Sequence, residues 1–114
     1  MTVIAAGPIT VDTLYHDRTS LHGRPVALTR IEHRLLVMLI KRRGRTLSRF
    51  YLYRNAWRGK PTDDTRTVDM TISRLRVKLD DAASLIQTVH GVGYRFGDLP
   101  NKNGGRLRRR GDFG

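Results

Sequence analysis

The sequence predicts an α+β protein in which a small sheet comes first, three helices follow and a β-hairpin comes last. Three observations predict this order. Residues 1–28 alternate apolar and polar positions between turn-forming residues, residues 29–79 contain three stretches with helical spacing of apolar side chains, and residues 85–96 surround a glycine-rich turn. The 114 residues suit one domain of ordinary size, and we expect this domain to span residues 1–97.

The first 28 residues are predicted to form short antiparallel strands. Apolar and polar side chains alternate in Ile9–Asp12 and again in Val26–Leu28. The Gly7-Pro8 pair and the segment His22-Gly23-Arg24-Pro25 supply turn residues between them.

The first helix is predicted over residues 30–43. Thr29 and Glu32 have the spacing of a capping box, in which each side chain bonds a free backbone N–H of the other residue. Apolar side chains then recur at helical spacing, at Ile31, Leu35, Met38 and Leu39. Basic residues crowd positions 41–43, and Gly44 can end the helix.

The second helix is predicted from Ser48, as its N-cap, to about Trp57, with Leu52 and Ala56 facing inward. The loop Arg58–Asp64 then breaks the helical pattern.

The third helix is predicted over residues 65–79. Val68, Ile72, Leu75 and Leu79 form one apolar stripe. The opposite face is expected to carry Arg66, Met70, Thr71, Ser73, Arg74, Val77 and Lys78, with Arg76 beside it. A helix that buries one stripe and exposes arginines and small hydroxyl residues can lie in the major groove of DNA.

A β-hairpin is predicted over residues 85–96, with Gly91-Val92-Gly93 as its turn. Residues 98–114 are rich in Asn, Gly and Arg, so we expect a basic, disordered tail.

The charge of the chain points to a polyanionic partner. The sequence has 22 Lys and Arg against 10 Asp and Glu, for a formal net charge of +12. Nucleic acid, DNA or RNA, is the first expectation and an anionic membrane surface the second. No apolar run approaches a membrane span, no signal peptide is evident and cysteine is absent, which fits a cytoplasmic protein.

Enzyme and cofactor chemistry are not expected. No nucleophile–base pair and no phosphate-cradling loop stands out, the four histidines lack metal-ligand spacing, and we expect neither a metal nor a cofactor.

Two long motifs carry a family resemblance. RTVDMTISRLRVKL (Arg66–Leu79) followed by LIQTVHGVGYRF (Leu85–Phe96) resembles the C-terminal effector domain of OmpR/PhoB-type response regulators. LTRIEHRLLVMLIKRRGRTLSR (Leu28–Arg49) is similar to its first helix and the start of its second, and Trp57 matches the end of the second. The resemblance implies a winged helix-turn-helix with a four-stranded N-terminal sheet, and the hairpin 85–96 as the wing.

The resemblance also implies a set of DNA-facing residues. They are Arg66, Thr71, Ser73, Arg74 and Arg76 on the third helix, and Thr88, His90 and Tyr94 on the wing. Arg74 is the best candidate for reading a base, because a guanidinium pairs with O6 and N7 of guanine. Arg66 and Arg76 fit phosphate contacts, as Thr88 and Tyr94 do. Thr71 and Ser73 suit a phosphate or a thymine methyl group.

His90 stands where many members of the family have arginine, and we expect weaker minor-groove readout from this wing.

By resemblance, the partner is double-stranded DNA carrying direct-repeat half-sites, bound by tandem homodimers in the cytoplasm of a bacterium with two-component signalling. Membrane is then not a partner. RNA polymerase or sigma factor is a further expected partner, because the loop Arg58–Asp64, with Lys60, matches a polymerase-contacting loop of some relatives. Phe50, Tyr51 and Tyr53 depart from the usual polar second helix, and either a protein contact surface or local packing explains them.

Two other functions stay open on the sequence alone, a non-specific nucleic-acid binder and a protein-interaction module. The receiver domain of response regulators does not occur in these residues, so an excised effector domain and a stand-alone DNA binder are both open.

Overall fold

The computed structural model describes residues 2–58 and 64–97, and it confirms the predicted α+β architecture. The strands are β1 Val3–Ala6, β2 Ile9–Asp12, β3 Thr19–Leu21, β4 Arg24–Val26, β5 Leu47–Ser48, β6 Ile86–Val89 and β7 Gly93–Phe96. The helices are α1 Arg30–Lys41, α2 Arg49–Trp57 and α3 Arg66–Leu79, and a 3₁₀ segment, Asp80–Leu85, follows α3. The predicted tail 98–114 lies outside the described residues.

The first sheet is antiparallel with strand order β1-β2-β3-β4. Arg24 and Pro25, predicted in a turn, both belong to β4, where Arg24 pairs with Leu21. His22 and Gly23 alone form the two-residue turn, since both have positive φ, 52° and 79°. This geometry matches the right-handed twist of the flanking strands.

Helix α1 begins with the predicted capping box. The Thr29 N–H donates to Glu32 Oε1 at 2.9 Å, and the Glu32 N–H donates to Thr29 Oγ1 at 3.2 Å. The helix ends at Lys41, two residues earlier than predicted. Gly44 has left-handed φ, and its N–H donates to the Phe96 carbonyl at 2.9 Å, so the chain leaves α1 against β7.

The second sheet has strand order β5-β7-β6, and its edge strand β5 was not predicted. Leu47 and Ser48 pair with Tyr94 and Gly93. A two-residue strand is too short to show alternation in the sequence. Only the folded chain therefore reveals this strand, through its pairing with β7. Leu85, predicted in a strand, belongs to the 3₁₀ segment.

The core joins both sheets to the three helices. The predicted α3 stripe is confirmed, since Val68, Ile72, Leu75 and Leu79 are fully buried. They join a cluster with side chains of every other layer, including Ile9, Val11, Leu35, Leu36, Leu39, Leu52, Ala56, Ile86 and Phe96. Burial on this scale fixes which face of α3 remains outside.

Within residues 2–58 and 64–97, no helix is long and apolar enough to cross a membrane.

Candidate nucleic-acid interface

One face of α3 is exposed and carries Met70, Ser73, Arg74 and Val77. Their spacing places them in one strip along the helix, which we call the α3 strip. Among the described residues, none forms a hydrogen bond or an ion pair with the side chains of Ser73 or Arg74. The guanidinium of Arg74 is therefore available to a ligand from outside the domain.

Arg66 lies at the start of α3 and is also exposed. Its Nε donates to Asp64 Oδ1 at 3.0 Å, and its Nη2 donates to Oδ2 at 3.2 Å. These hydrogen bonds hold the pKa of Asp64 below its ordinary value and raise the pKa of Arg66. Because Arg66 is 84% exposed in this pair, a phosphate can reach the same guanidinium at little cost.

The prediction that Thr71 lies on the open face is wrong. Thr71 is only 4% exposed, and its hydroxyl donates to the Thr67 carbonyl at 2.8 Å. Lys78 is also misplaced, since its Nζ donates to Glu32 Oε1 at 2.7 Å. Thr71 and Lys78 are seven residues apart and lie on one edge of the apolar stripe. On this edge both side chains form hydrogen bonds within the domain.

Tyr94, predicted at a phosphate-contacting position, is buried, and its hydroxyl donates to Asp69 Oδ1. The same oxygen accepts a hydrogen bond from Arg49 Nε at 2.7 Å. Burial raises the pKa of Asp69, but the hydrogen bonds from Tyr94 and Arg49 outweigh it, so the pKa lies below its ordinary value. Burial and Asp69 both raise the pKa of Tyr94. The phenol is therefore engaged inside the domain rather than free for phosphate.

Two guanidinium groups lie over the Tyr94 ring. The Cζ atoms of Arg49 and Arg76 are 5.5 and 5.6 Å from its centroid, within cation–π range. We call Arg49, Asp69, Arg76 and Tyr94 the junction cluster. It connects α2, α3 and β7 at the base of the wing.

Arg76 lies beside the α3 strip and reaches the wing. Its Nη2 donates to the Ile86 carbonyl at 2.7 Å and to Thr88 Oγ1 at 2.9 Å, and its Nε donates to the same carbonyl at 3.2 Å. Arg76 thereby ties β6 to α3. Thr88 and His90 are exposed, and His90 lies at the hairpin turn.

Arg49 is a functional candidate that was not predicted from the sequence. It lies at the N-terminus of α2, partly exposed, against Asp69 of α3. The sequence signal was indirect, since the partly buried Asp69 favours a cationic partner, and the pairing with Arg49 joins two helices 20 residues apart in the chain.

The aromatic residues of α2 divide between packing and exposure. Tyr53 is 6% exposed and stacks on Trp57, with centroids 5.3 Å apart, so local packing is the alternative that fits Tyr53. Phe50 is 54% exposed, with the Arg54 guanidinium 5.5 Å from its ring centroid. Tyr51 is partly buried. Lys60 lies outside the described residues.

The family described as "Transcriptional regulatory protein, C terminal" matches residues 23–96, from the β3–β4 turn to the end of β7. The chain belongs to this family of OmpR/PhoB-type effector domains. The match includes α3, the junction cluster and the wing.

Curated relatives of this effector domain include a transcriptional regulatory protein and a sensory transduction protein. Transcriptional regulatory protein AfsQ1 of Streptomyces coelicolor is 42% identical over 91 residues, covering 74% of this chain and 40% of that protein. Sensory transduction protein RegX3 of Mycolicibacterium smegmatis is 36% identical over 97 residues, covering 82% and 42%. The chain thus spans about two fifths of the length of these relatives.

Solved structures share the fold of the effector domain. The DNA-binding domain of CpxR from E. coli matches with TM-score 0.76 and 25% identity, covering 87% of this chain and 99% of that one. The Klebsiella pneumoniae RstA DNA-binding domain in complex with the RstA box matches with TM-score 0.73 and 33% identity, covering 85% and 98%. The expected winged helix-turn-helix is confirmed.

Proposed function

We propose that this effector domain binds double-stranded DNA sequence-specifically and regulates transcription, with α3 in the major groove and the β6–β7 wing over the adjacent minor groove. The observation that carries the proposal is the α3 strip. There Arg74 projects from a helix whose opposite face is fully buried, and no described residue neutralises it. Helix-turn-helix domains present their recognition helix in this way. The RstA DNA-binding domain, solved in complex with the RstA box, supports DNA as the partner.

The exposed polar residues predicted to face DNA divide into one base-reading residue and several that contact the DNA backbone or the minor groove. Arg74 reads guanine through O6 and N7, and Ser73 donates to a nearby phosphate. Arg66 and Thr88 position the domain by contacting the backbone, which carries no sequence information. His90 approaches the minor groove.

The partly buried junction cluster has a positioning role in this proposal. Arg76 and Tyr94 set the angle between wing and recognition helix through their bonds to Thr88 and Asp69. The proposed function of the whole domain is binding rather than catalysis, and it requires no cofactor.

The proposed cellular location, DNA target and oligomeric state on DNA follow from the family. We propose that the domain acts in the bacterial cytoplasm and binds direct-repeat half-sites about one helical turn apart as a tandem homodimer. The net charge of +12 supports DNA over a neutral partner, because each phosphate that a cation neutralises releases counterions.

Selection of binding sites from a random duplex pool tests this function. The wild-type chain should enrich one motif, and Arg74→Ala should lose preference at one guanine, at a cost of about 1–3 kcal/mol. Arg24→Ala, which removes an exposed arginine of β4, is the matched control and should keep the motif. Flat enrichment by the wild-type chain overturns sequence specificity and supports a non-specific binder.

A second proposed partner, RNA polymerase or its sigma factor, is favoured by one observation. Phe50 exposes most of its ring on α2, away from the buried Tyr53–Trp57 stack. Exposed aromatic side chains are typical of interface anchors. The loop bearing Lys60 belongs to the same proposed contact.

NMR titration of the DNA-bound domain with polymerase should shift the amides around Phe50, and Phe50→Ala should abolish the shifts while DNA affinity stays unchanged. Unshifted Phe50 resonances contradict this contact.

A further inference from the structure

Apolar side chains lie on both sides of Arg74 on the α3 strip. Met70 is 54% exposed and Val77 is 79% exposed, the highest value among the large hydrophobic side chains of the described residues. Folding does not account for Val77, because most of it is exposed and valine is a weaker helix former than lysine or alanine. Exposed apolar groups beside a binding residue indicate contact with a partner.

We propose that Met70 and Val77 recognise thymine methyl groups on either side of the guanine that Arg74 contacts. This inference rests on the proposed function of the domain. Each base pair displays hydrogen-bonding groups in the major groove, but only thymine adds an apolar group there, its C5-methyl. An apolar side chain in that groove therefore prefers thymine.

The spacing of the three residues fits neighbouring base pairs. Met70 and Val77 are seven residues apart, and at about 1.5 Å per residue this separates them by about 10.5 Å along the helix axis. Base pairs rise about 3.4 Å along the duplex, so the two side chains span at most about three steps, reached when α3 runs parallel to the duplex axis. Arg74 lies between them, which places the thymines within about two steps of the guanine.

Other candidates for apolar readout are removed by the structure. The methyl group of Thr71 is buried with its side chain. Lys78 is held by Glu32. Ser73, on the α3 strip, has no methyl group. Met70 and Val77 therefore remain as the residues of α3 that can recognise thymine methyl groups.

Replacement of single thymines by deoxyuridine tests the proposal, because it removes the methyl group and leaves every hydrogen-bonding group in place. Affinity for the selected duplex is measured with each thymine replaced in turn. The proteins are the wild-type chain, Met70→Ala, Val77→Ala and Leu14→Ala as a matched control. Leu14 is exposed on the loop after β2.

The wild-type chain and the Leu14→Ala control should lose about fourfold in affinity at one thymine on each side of the guanine, the value for one buried methyl-sized group. Val77→Ala should cancel the loss on one side, and Met70→Ala the loss on the other. Both variants should remain folded, because alanine favours the exposed helix.

The proposal is overturned if deoxyuridine changes the affinity at no thymine. It is also overturned if the loss of affinity persists unchanged in both variants. Neither result contradicts the proposed DNA-binding function. A selected motif without thymine beside the guanine also overturns the proposal. Failure to select any motif instead contradicts the proposed function itself.

Discussion

The hydroxyl of Tyr94 on β7 donates a hydrogen bond to the carboxylate of Asp69 on α3. The carboxylate also accepts a hydrogen bond from Arg49 of α2, so one partly buried carboxylate connects the wing to two helices. The wing angle is therefore set before DNA arrives. A surface arranged in advance loses less conformational entropy on binding.

Loss of the Tyr94 hydroxyl should loosen this junction. Tyr94→Phe keeps the ring between Arg49 and Arg76 but removes a hydrogen bond to a charged acceptor, and we expect the free energy of unfolding to fall by about 1–2 kcal/mol. Denaturant unfolding measures the change. Tyr51→Phe is the control, since no described residue bonds its hydroxyl. Equal stability of Tyr94→Phe and the wild-type chain contradicts the role of this bond.

Arg66 and Arg76 should differ in how they affect the salt dependence of DNA binding. Arg66 is exposed and can neutralise a phosphate, so Arg66→Ala should reduce the slope of log K against log salt by about 0.9. Arg76 already donates to Ile86 and Thr88, so Arg76→Ala should lower affinity with a smaller change in slope. Slopes that change equally would show that Arg76 contacts phosphate directly.

Gly91 and Gly93 of the wing should respond differently to alanine. A Cβ at Gly93 would lie 2.0 Å from the Leu47 carbonyl oxygen, so Gly93→Ala breaks the β5–β7 pairing. Gly91 has φ of +78° and open space around it, so Gly91→Ala carries only backbone strain, about 1–2 kcal/mol. Thermal unfolding should show Gly93→Ala as the less stable variant, and the reverse order contradicts the close packing of Gly93 against Leu47.

Glu32 should make the domain sensitive to acid. Burial raises its pKa, but the hydrogen bonds from Lys78 and the Thr29 N–H outweigh burial, so the folded-state pKa lies below the ordinary 4.5. The ionised form is thus favoured by folding. Its stabilisation is complete above pH 4.5 and is lost as the pH falls through the lowered pKa.

Glu32→Gln should therefore reduce the free energy of unfolding at pH 7 by about 1–3 kcal/mol, and the difference from the wild-type chain should shrink below pH 4.5. Unfolding at several pH values measures it, with Asp17→Asn as the control for an exposed carboxylate. A difference independent of pH refutes the contribution of the ionised carboxylate.

The elements with strong local signals could be predicted from the sequence. The Thr29–Glu32 capping box and the apolar stripe of α3 each depend on contacts within one helix, so spacing alone reveals them. By contrast, β5 exists because Leu47 meets Tyr94, a residue far along the chain.

The sequence predicted which helix and which central residue expose the site, but it assigned residues beside the apolar stripe to the wrong face. Arg74 projects from the open face of α3, as its position opposite the stripe indicated. Thr71 was misplaced because it lies three residues after Val68 and four before Leu75, where a small side chain can bury its methyl group and bond its hydroxyl to the preceding turn. Periodicity gives the centre of a buried face but not its width, which depends on the neighbouring elements.

Replacement of guanines by 7-deazaguanine tests the central claim most directly, because it removes only the N7 acceptor from the major groove. The selected duplex should carry one guanine at which this change weakens the wild-type chain about tenfold or more. The affinity of Arg74→Ala should be the same with guanine or 7-deazaguanine at that position. A wild-type chain unaffected at every guanine, or an equal loss in Arg74→Ala, would contradict docking of α3 in the major groove through Arg74.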